Sequence, residues 1–290
     1  MDAVRNAQLT LDATPPTSFL MCAPDHYTTS FVLNPWMDYR DADVDPGVAL
    51  DQWTALKQAI ERSGASVDLI GQAPESPPMV FTADCALVYG PGRALVLSND
   101  GSRSYHEPRL AAAWLEEHGF QAESLPPAYH VDGGNLLRLS SSAYLVGLKP
   151  GSTGQAERYV ATLLERVSGA RTFPLALHDG RFLHLDMVVG NLAGRGLLIH
   201  WDGLHPAARR YLRAWAGDAI PLIPVGEADA KHFACNCVSL STGRVVTGPI
   251  SDSLAHEIEA LGVGVTRLDL SEFYKAGGGA KCLTLPITYT

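Results

Sequence analysis

A glycine recurs at five similar places in this sequence, where a helix-like segment gives way to a short β-rich run. The five are Gly64, Gly119, Gly169, Gly217 and Gly262, at spacings of 55, 50, 48 and 45 residues. Glycine readily adopts the left-handed conformation that ends many helices, so each is expected at a helix C-terminus. A period near fifty residues favours an array of similar modules over two unrelated domains.

The segments around these glycines share one pattern. Asp45 and Pro46 suit the start of a helix whose apolar face carries Trp53, Leu56 and Ile60. Between the helical segments lie short apolar runs joined by Gly-Pro or Thr-Gly turns, which predict pairs of strands. The chain is therefore expected to form five ββαβ modules.

Composition indicates a single globular unit. With 46% hydrophobic and 18% charged residues and no linker-like stretch, the 290 residues predict one domain over 18–290, after a flexible segment over 1–17. The first residues lack the apolar core of a signal peptide and no later run is long enough to span a membrane, so we predict a cytoplasmic protein. The net charge of −9 argues against nucleic-acid and membrane partners and favours a small cationic substrate.

The chain has five cysteines, at Cys22, Cys85, Cys235, Cys237 and Cys282. Their odd number and the lack of a CxxC pair support neither a disulfide framework nor a zinc site, and no metal or other cofactor is expected. Cys235 and Cys237 alternate along an apolar run, which predicts that both pack on one face of a strand.

Cys282 follows a run of three glycines, at 277–279, and directly follows Lys281. Ordering three glycines is costly, so the run indicates a positive φ or a close approach of the backbone to another group. The neighbouring ammonium group is expected to lower the pKa of the thiol. The alternative is a buried structural cysteine, which is common.

Polar residues also stand at the edges of three other apolar runs, each in a different module: FTADCALV at 81–88, HVDGGNLL at 130–137 and FLHLDMVVGN at 182–191. We predict that His184 and Asp186 share one face of a strand, where a buried carboxylate requires a partner. Each residue alone also has a structural explanation. His184 suits a buried core histidine, and Asp84 and Asp132 suit turns.

Together with FLMCAPDHYTTSFVLNPWMD at 19–38 and the GGGAKC terminus, these stretches resemble the guanidino-group-modifying superfamily. That superfamily includes dimethylarginine dimethylaminohydrolases, arginine deiminases and amidinotransferases. The resemblance runs from Phe19 to Ile287 and is closest to bacterial dimethylargininase-like proteins. It implies a five-bladed α/β propeller with approximate five-fold symmetry, in agreement with the five modules.

The resemblance also implies a role for each candidate residue. Cys282 matches the nucleophile that attacks the guanidinium carbon and forms a covalent S-alkyl amidinium. His184 matches the group that protonates the departing amine and deprotonates the incoming water or amine. Asp84 and Asp186 match the carboxylates that bind the guanidinium, and Asp132 matches an acid that orients the histidine or binds the guanidinium.

Recognition of the substrate tail differs from the family pattern. Asn99 and Lys149-Pro150 stand where family hydrolases carry arginines that hold the α-carboxylate of arginine. Arg103 and Lys149 are the candidates to replace them, but lysine lacks the planar fork of arginine. We therefore predict retained chemistry at the amidino carbon and an enzyme that does not prefer free L-arginine.

Three functions remain open from the sequence. Water resolves the covalent intermediate in a hydrolase, which the chain length and N-terminal segment favour. An amine resolves it in an amidinotransferase, which Asp132 and Asp186 favour. The third is a catalytically silent binding protein of the same fold, against which the intact cysteine, histidine and three acids argue. The sequence does not indicate the leaving amine or the oligomeric state.

Overall fold

The computed structural model of the protein describes residues 11, 14–29, 43–98 and 106–289. Two candidate substrate-binding residues, Asn99 and Arg103, lie outside the described residues, as does the NPWM stretch at 34–37. In the described part, no helix combines the length and apolar composition that a membrane span requires.

Helices and strands alternate along the described chain. The helices are α1 (Pro46–Arg62), α2 (His106–Glu117), α3 (Gln155–Ser168), α4 (Pro206–Ala216), α5 (Glu227–Lys231), α6 (Asp252–Ala260) and α7 (Ser271–Tyr274). The strands are β1 (Pro16–Cys22), β2 (Ser66–Ile70), β3 (Ala86–Gly90), β4 (Arg93–Val96), β5 (Gln121–Ser124), β6 (Leu136–Ser140), β7 (Ala143–Leu148), β8 (Arg171–Ala176), β9 (Val189–Asn191), β10 (Leu197–Ile199), β11 (Leu222–Pro224), β12 (Val238–Leu240), β13 (Arg244–Thr247), β14 (Gly264–Arg267) and β15 (Leu285–Tyr289).

The strands form five separate three-stranded sheets of one repeated design. Their orders are β15-β1-β2, β3-β4-β5, β6-β7-β8, β9-β10-β11 and β12-β13-β14. In each sheet the middle strand pairs antiparallel with the first strand and parallel with the third. A helix makes each parallel crossover, as such connections usually require. The five ββαβ modules and the α/β propeller predicted from the sequence are confirmed.

The two ends of the described chain share one blade. Strand β15 pairs with β1, with Phe19 opposite Pro286 and Leu20 opposite Leu285. The last strand thus completes the sheet that the first strand begins, and this pairing places the cysteine that precedes β15. The domain boundary at residue 18 stays a prediction, and β1 itself begins at Pro16.

The helix ends follow the sequence pattern. All five recurring glycines have positive φ, between 53° and 88°. At the start of α1, the Asp45 carboxylate accepts hydrogen bonds from the N–H groups of Gly47 and Val48, which caps the helix. Trp53, Leu56 and Ile60 are buried, as the helical spacing predicts.

The first strand of each sheet in the orders above lies next to the propeller axis. A cavity of about 130 Å³ is lined by residues of all five of these inner strands, β3, β6, β9, β12 and β15. Each inner strand begins directly after a tight turn of the chain. Five turns therefore surround one end of the axis.

Candidate active site

Each of the five turns carries a polar residue just before its inner strand. Asp84 precedes β3, Asp132 precedes β6, Asp186 precedes β9, Asn236 precedes β12 and Cys282 precedes β15, by two to four residues each. Contacts between neighbouring blades bring these groups together. Sequence analysis identified four of the five turns and missed Asn236, which the module period would have located.

His184 lies beside Asp132, as the proposed pairing of histidine and acid requires. Its Nε2 atom is 3.2 Å from Asp132 Oδ2. The ring packs on Gly134, where a Cβ atom would lie 2.6 Å from ring Nδ1, so only glycine leaves room for it. Burial lowers the pKa of His184, but Asp132, Asp84 and Asp186 outweigh that effect and raise it to about 9. The imidazole is therefore a protonated acid at neutral pH.

The same carboxylate oxygen of Asp132 also accepts from a lysine. Lys149 Nζ is 2.7 Å from Asp132 Oδ2, and the Asp132 side chain is 8% exposed. Burial alone would raise the pKa of Asp132, but His184 and Lys149 hold it well below its ordinary range. Lys149 thus lies against the His184–Asp132 pair. Its role in holding a substrate tail stays a prediction.

Asp186 is fully buried and faces the cysteine. Its Oδ2 atom accepts a hydrogen bond from Lys281 Nζ at 2.8 Å and lies 3.8 Å from Cys282 Sγ. Its Oδ1 atom has no hydrogen-bond partner among the described residues. A buried carboxylate oxygen without a donor leaves a position open for an N–H group of a bound cation.

The predicted strand over His184 and Asp186 is wrong. The chain instead makes a one-turn 3-10 helix over Leu185–Met187, and the Leu185 N–H donates to the buried side chain of Asn135 at 3.2 Å. Because the turn breaks strand alternation, the two side chains have different partners. His184 contacts Asp132, and Asp186 contacts Lys281 and the cysteine.

Asp84 is the third acid of the site, beside Asp132 and Asp186. It ends a 3-10 turn over Thr82–Asp84, and its Oδ1 atom accepts the N–H of Gly134 at 3.0 Å. Burial and the charges of Asp132 and Asp186 raise its pKa to about 6, against the lowering effect of His184 and Lys281. The acids are thus close enough to interact strongly.

The glycine run before Cys282 is required by close packing. Gly277 has a φ of 82°. A Cβ atom on Gly278 would overlap the ring of Phe81, and one on Gly279 would lie 2.9 Å from the side-chain oxygen of Asn236. Both expectations for the run, a positive φ and a close approach, are confirmed.

Cys282 itself is buried in contact with an asparagine. Its Sγ atom lies 3.1 Å from Asn236 Nδ2, and its own N–H donates to Asn236 Oδ1 at 3.2 Å. Burial, Asp186 and Asp84 raise the pKa of the thiol well above its usual value, and Lys281 lowers it. These surroundings favour the thiol over the thiolate. The effect of Lys281 on the thiol pKa has the sign expected from the sequence, but burial and the two acids outweigh it.

The strand packing predicted for Cys235 and Cys237 is wrong. Cys235 lies in the tight turn over 232–236, and Cys237 lies between that turn and β12, which begins only at Val238. They are buried, and burial raises the pKa of both thiols, that of Cys237 to about 12.

The surroundings of these two thiols differ from those of Cys282. Asp186 raises the pKa of both, and Lys281 lowers that of Cys237. In the described structure, however, Asn236 Nδ2 contacts only the sulfur of Cys282, and only Cys282 directly follows Lys281.

Known proteins show clear similarity to this chain. No family model matches it. The N(G),N(G)-dimethylarginine dimethylaminohydrolase of Mycobacterium tuberculosis is 33% identical, over 93% of this chain and 85% of that protein. The bifunctional arginine dihydrolase/ornithine cyclodeaminase ArgZ of Synechocystis sp. is 36% identical, over 93% of this chain. This chain spans only 37% of the length of ArgZ.

Solved structures match the fold closely. The N-terminal domain of ArgZ, in an asparagine-to-serine variant covalently bonded to a reaction intermediate, has a TM-score of 0.86 and 33% identity, over 93% of this chain and 97% of that chain. A cysteine-to-serine variant of the same domain, bound to substrate, has a TM-score of 0.86 and 32% identity over 93% and 98%. A dimethylarginine dimethylaminohydrolase adduct with S-methyl-L-thiocitrulline, at 18% identity and a TM-score of 0.76, shows the fold alone.

Proposed function

The chain belongs to the family of guanidino-group-modifying enzymes that contains the dimethylarginine dimethylaminohydrolases, and from that membership we propose that it is a cysteine-dependent hydrolase of a guanidinium group. Its substrate is an arginine-like or N-methylated arginine, and the product is a ureido compound. One observation carries the proposal. Cys282 Sγ lies 3.8 Å from the buried carboxylate of Asp186, in the same site as the His184–Asp132 pair and Asp84.

The acids suit the head of the substrate. A guanidinium is a planar cation whose N–H groups bind carboxylates through charge-assisted hydrogen bonds. Asp186 Oδ1 has no hydrogen-bond donor in the described residues, and Asp84 accepts one N–H through Oδ1. We assign these two carboxylates to the substrate, and Asp132 to the orientation of His184.

Formation of the covalent intermediate uses the protonated histidine. The cation at Asp84 and Asp186 offsets the two charges that raise the pKa of the thiol, so substrate binding favours the thiolate. The thiol proton is released to solvent, where the departing amine later takes up one proton. The thiolate attacks the guanidinium carbon, and His184 gives its proton to the departing amine as the C–N bond breaks. The product of this step is an S-alkyl amidinium on Cys282 and a neutral His184.

Hydrolysis then reverses the role of the histidine. Neutral His184 takes a proton from water as the water oxygen attacks the same carbon. The C–S bond breaks, and the second proton of the water passes from the product oxygen to the departing sulfur. The neutral ureido product leaves, and Cys282 is again a thiol. His184 is again protonated, so the cycle returns the site to its starting charge.

A product assay tests the proposal. Purified protein is incubated with arginine, methylated arginines or agmatine, with and without glycine or ornithine as an amine acceptor. A hydrolase forms a ureido product and free amine without an acceptor, and Cys282→Ser abolishes turnover. Product that forms only with an acceptor identifies an amidinotransferase. Guanidine binding with no turnover of any substrate identifies a silent binding protein.

The setting of the reaction also remains a proposal. The net charge of −9 supports a small cationic substrate and argues against nucleic-acid and membrane partners. A location in the cytoplasm is part of the same proposal. Cell fractionation followed by detection of the chain tests the location.

A further inference from the structure

Asn236 makes two hydrogen bonds to one residue, the candidate nucleophile. Its side chain is fully buried between the turn before β12 and the glycine run. Its Oδ1 atom accepts the N–H of Cys282 at 3.2 Å, and its Nδ2 atom lies 3.1 Å from Cys282 Sγ. A third bond joins the same two segments, because the Asn236 carbonyl accepts the N–H of Lys281 at 3.3 Å.

The backbone settles which way the amide faces. An asparagine side chain has one oxygen acceptor and one nitrogen donor, and the two are easily interchanged. The Cys282 N–H can only donate, so the atom facing it is the oxygen. The NH₂ group must then face the sulfur. A thiolate sulfur is a stronger hydrogen-bond acceptor than a thiol sulfur, so this donor favours the thiolate.

The fold gives Asn236 the same position as the other site residues. It stands two residues before its inner strand, in the one turn of the five that supplies none of the predicted catalytic or substrate-binding residues. Burial, Asp186 and Asp84 disfavour the thiolate, and Lys281 is the cation that opposes them. A buried neutral donor stabilises an anion without adding a charge that would repel a cationic substrate.

We infer that Asn236 is a catalytic residue that holds the Cys282 thiolate by donating a hydrogen bond from its side-chain amide. The inference rests on the proposed function, in which Cys282 is the nucleophile. The donor both stabilises the anion and directs the sulfur toward the carbon it attacks. It acts in both steps, since the thiolate attacks in the first and leaves in the second.

Alkylation of Cys282 by iodoacetamide, without any guanidine, measures the thiolate directly. Rates are followed by mass spectrometry of the peptide that contains Cys282, at several pH values below the midpoint of the profile. In Asn236→Ala the lost hydrogen bond to the thiolate raises the thiol pKa further. The rate falls about threefold to tenfold, because fewer thiolates form while each becomes more nucleophilic.

Asn236→Asp separates the donor from the acceptor. It keeps the size of the side chain and the oxygen that accepts from Cys282 N–H, but it replaces the donor with a negative charge. The rate in this variant is expected to fall further than in Asn236→Ala. Thr247→Val is the matched control, because the buried Thr247 hydroxyl bonds the Ala234 carbonyl in the same turn without touching the sulfur. Its rate is expected to stay within about twofold of wild type.

Two results overturn the inference. If Asn236→Asp is alkylated at the wild-type rate, only the acceptor oxygen of Asn236 matters. If Thr247→Val is alkylated as slowly as the Asn236 variants, the packing of the turn matters rather than the amide donor. Thermal melts followed by circular dichroism check that each variant folds. If Asn236→Ala does not fold, the alkylation rate of Asn236→Asp alone decides the inference. Because alkylation requires no turnover, the result stands or falls separately from the proposed function. If the proposed function holds, kcat falls in both Asn236 variants while KM changes little.

Discussion

At the scale of single residues, the site is an arrangement of closely opposed charges. Asp132 lies against Lys149 and His184, and Asp186 lies against Lys281. A cationic substrate therefore enters a site whose acids already have cationic partners. The site thus selects a substrate whose N–H groups reach the carboxylate oxygens that the lysines and the histidine do not contact.

Asp84→Asn and Asp186→Asn each remove one negative charge and keep the size of the side chain. If both carboxylates bind the guanidinium, kcat/KM falls by about a hundredfold or more, which equals roughly 3 kcal/mol of transition-state stabilisation. Steady-state kinetics measure this, and thermal unfolding checks that both variants fold. A variant with near-wild-type kcat/KM would show that its aspartate is structural.

Lys281→Met and Lys149→Met compare two lysines that each pair with a site acid. Lys281 lowers the pKa of the Cys282 thiol, so its loss is expected to slow iodoacetamide alkylation of Cys282 severalfold. Lys149 contacts Asp132 on the histidine side, and its loss is expected to leave that rate unchanged. Equal rates in the two variants would contradict this assignment of Lys281.

At the scale of elements, the turns before the inner strands carry the chemistry. Each inner strand is short, and each preceding turn packs against the turn of a neighbouring blade. The Ala83 N–H, for example, donates to the Cys282 carbonyl at 3.2 Å. The blades thus fix the site by backbone contacts as well as by side chains.

Gly134→Ala tests this packing. The added methyl group would lie 2.6 Å from His184 Nδ1, so the ring must move from its place beside Asp132. Because a misplaced catalytic group costs up to about a hundredfold in rate, kcat is expected to fall by at least about tenfold. Gly71→Ala is the control, since no atom lies within 4 Å of its added methyl and its φ is not positive. Unchanged kcat in Gly134→Ala would contradict the position of His184.

The sequence predicted the elements better than the turns. Helix caps and apolar spacing are local signals, so the five modules and the face of α1 followed from them. The turn at Leu185–Met187 depends on a bond to Asn135, fifty residues away, which no local pattern reveals. No local pattern in FACNCV distinguishes Asn236 as a site residue, because the two cysteines beside it are the more reactive residue type. The order of the modules, in contrast, places Asn236 beside Cys282.

At the scale of the whole molecule, closure of the propeller assembles the site. Residues from five blades meet only because β15 returns to pair with β1. The resemblance stated from the sequence supplied the roles of these residues. Spacing alone left each with a structural explanation, because the contacts between them cross blade boundaries.

The substrate tail gives a prediction at this scale. Lys149 is engaged with Asp132 in the described structure, and lysine does not reproduce the planar grip of arginine on a carboxylate. We expect kcat/KM for free L-arginine below about 10⁴ M⁻¹s⁻¹, the lower end for efficient enzymes. Steady-state kinetics with arginine and dimethylarginine measure this. A value above that limit would show that another group holds the carboxylate.

The central claim is that Cys282 forms a covalent bond to the guanidinium carbon, and trapping that bond tests it most directly. Protein mixed with a turned-over guanidine substrate is quenched in acid, digested and analysed by mass spectrometry. We predict an amidino adduct on the peptide that contains Cys282, and neither adduct nor turnover in Cys282→Ser. An adduct on the peptide of Cys85 or Cys237 instead, or full activity in Cys282→Ser, would contradict the account.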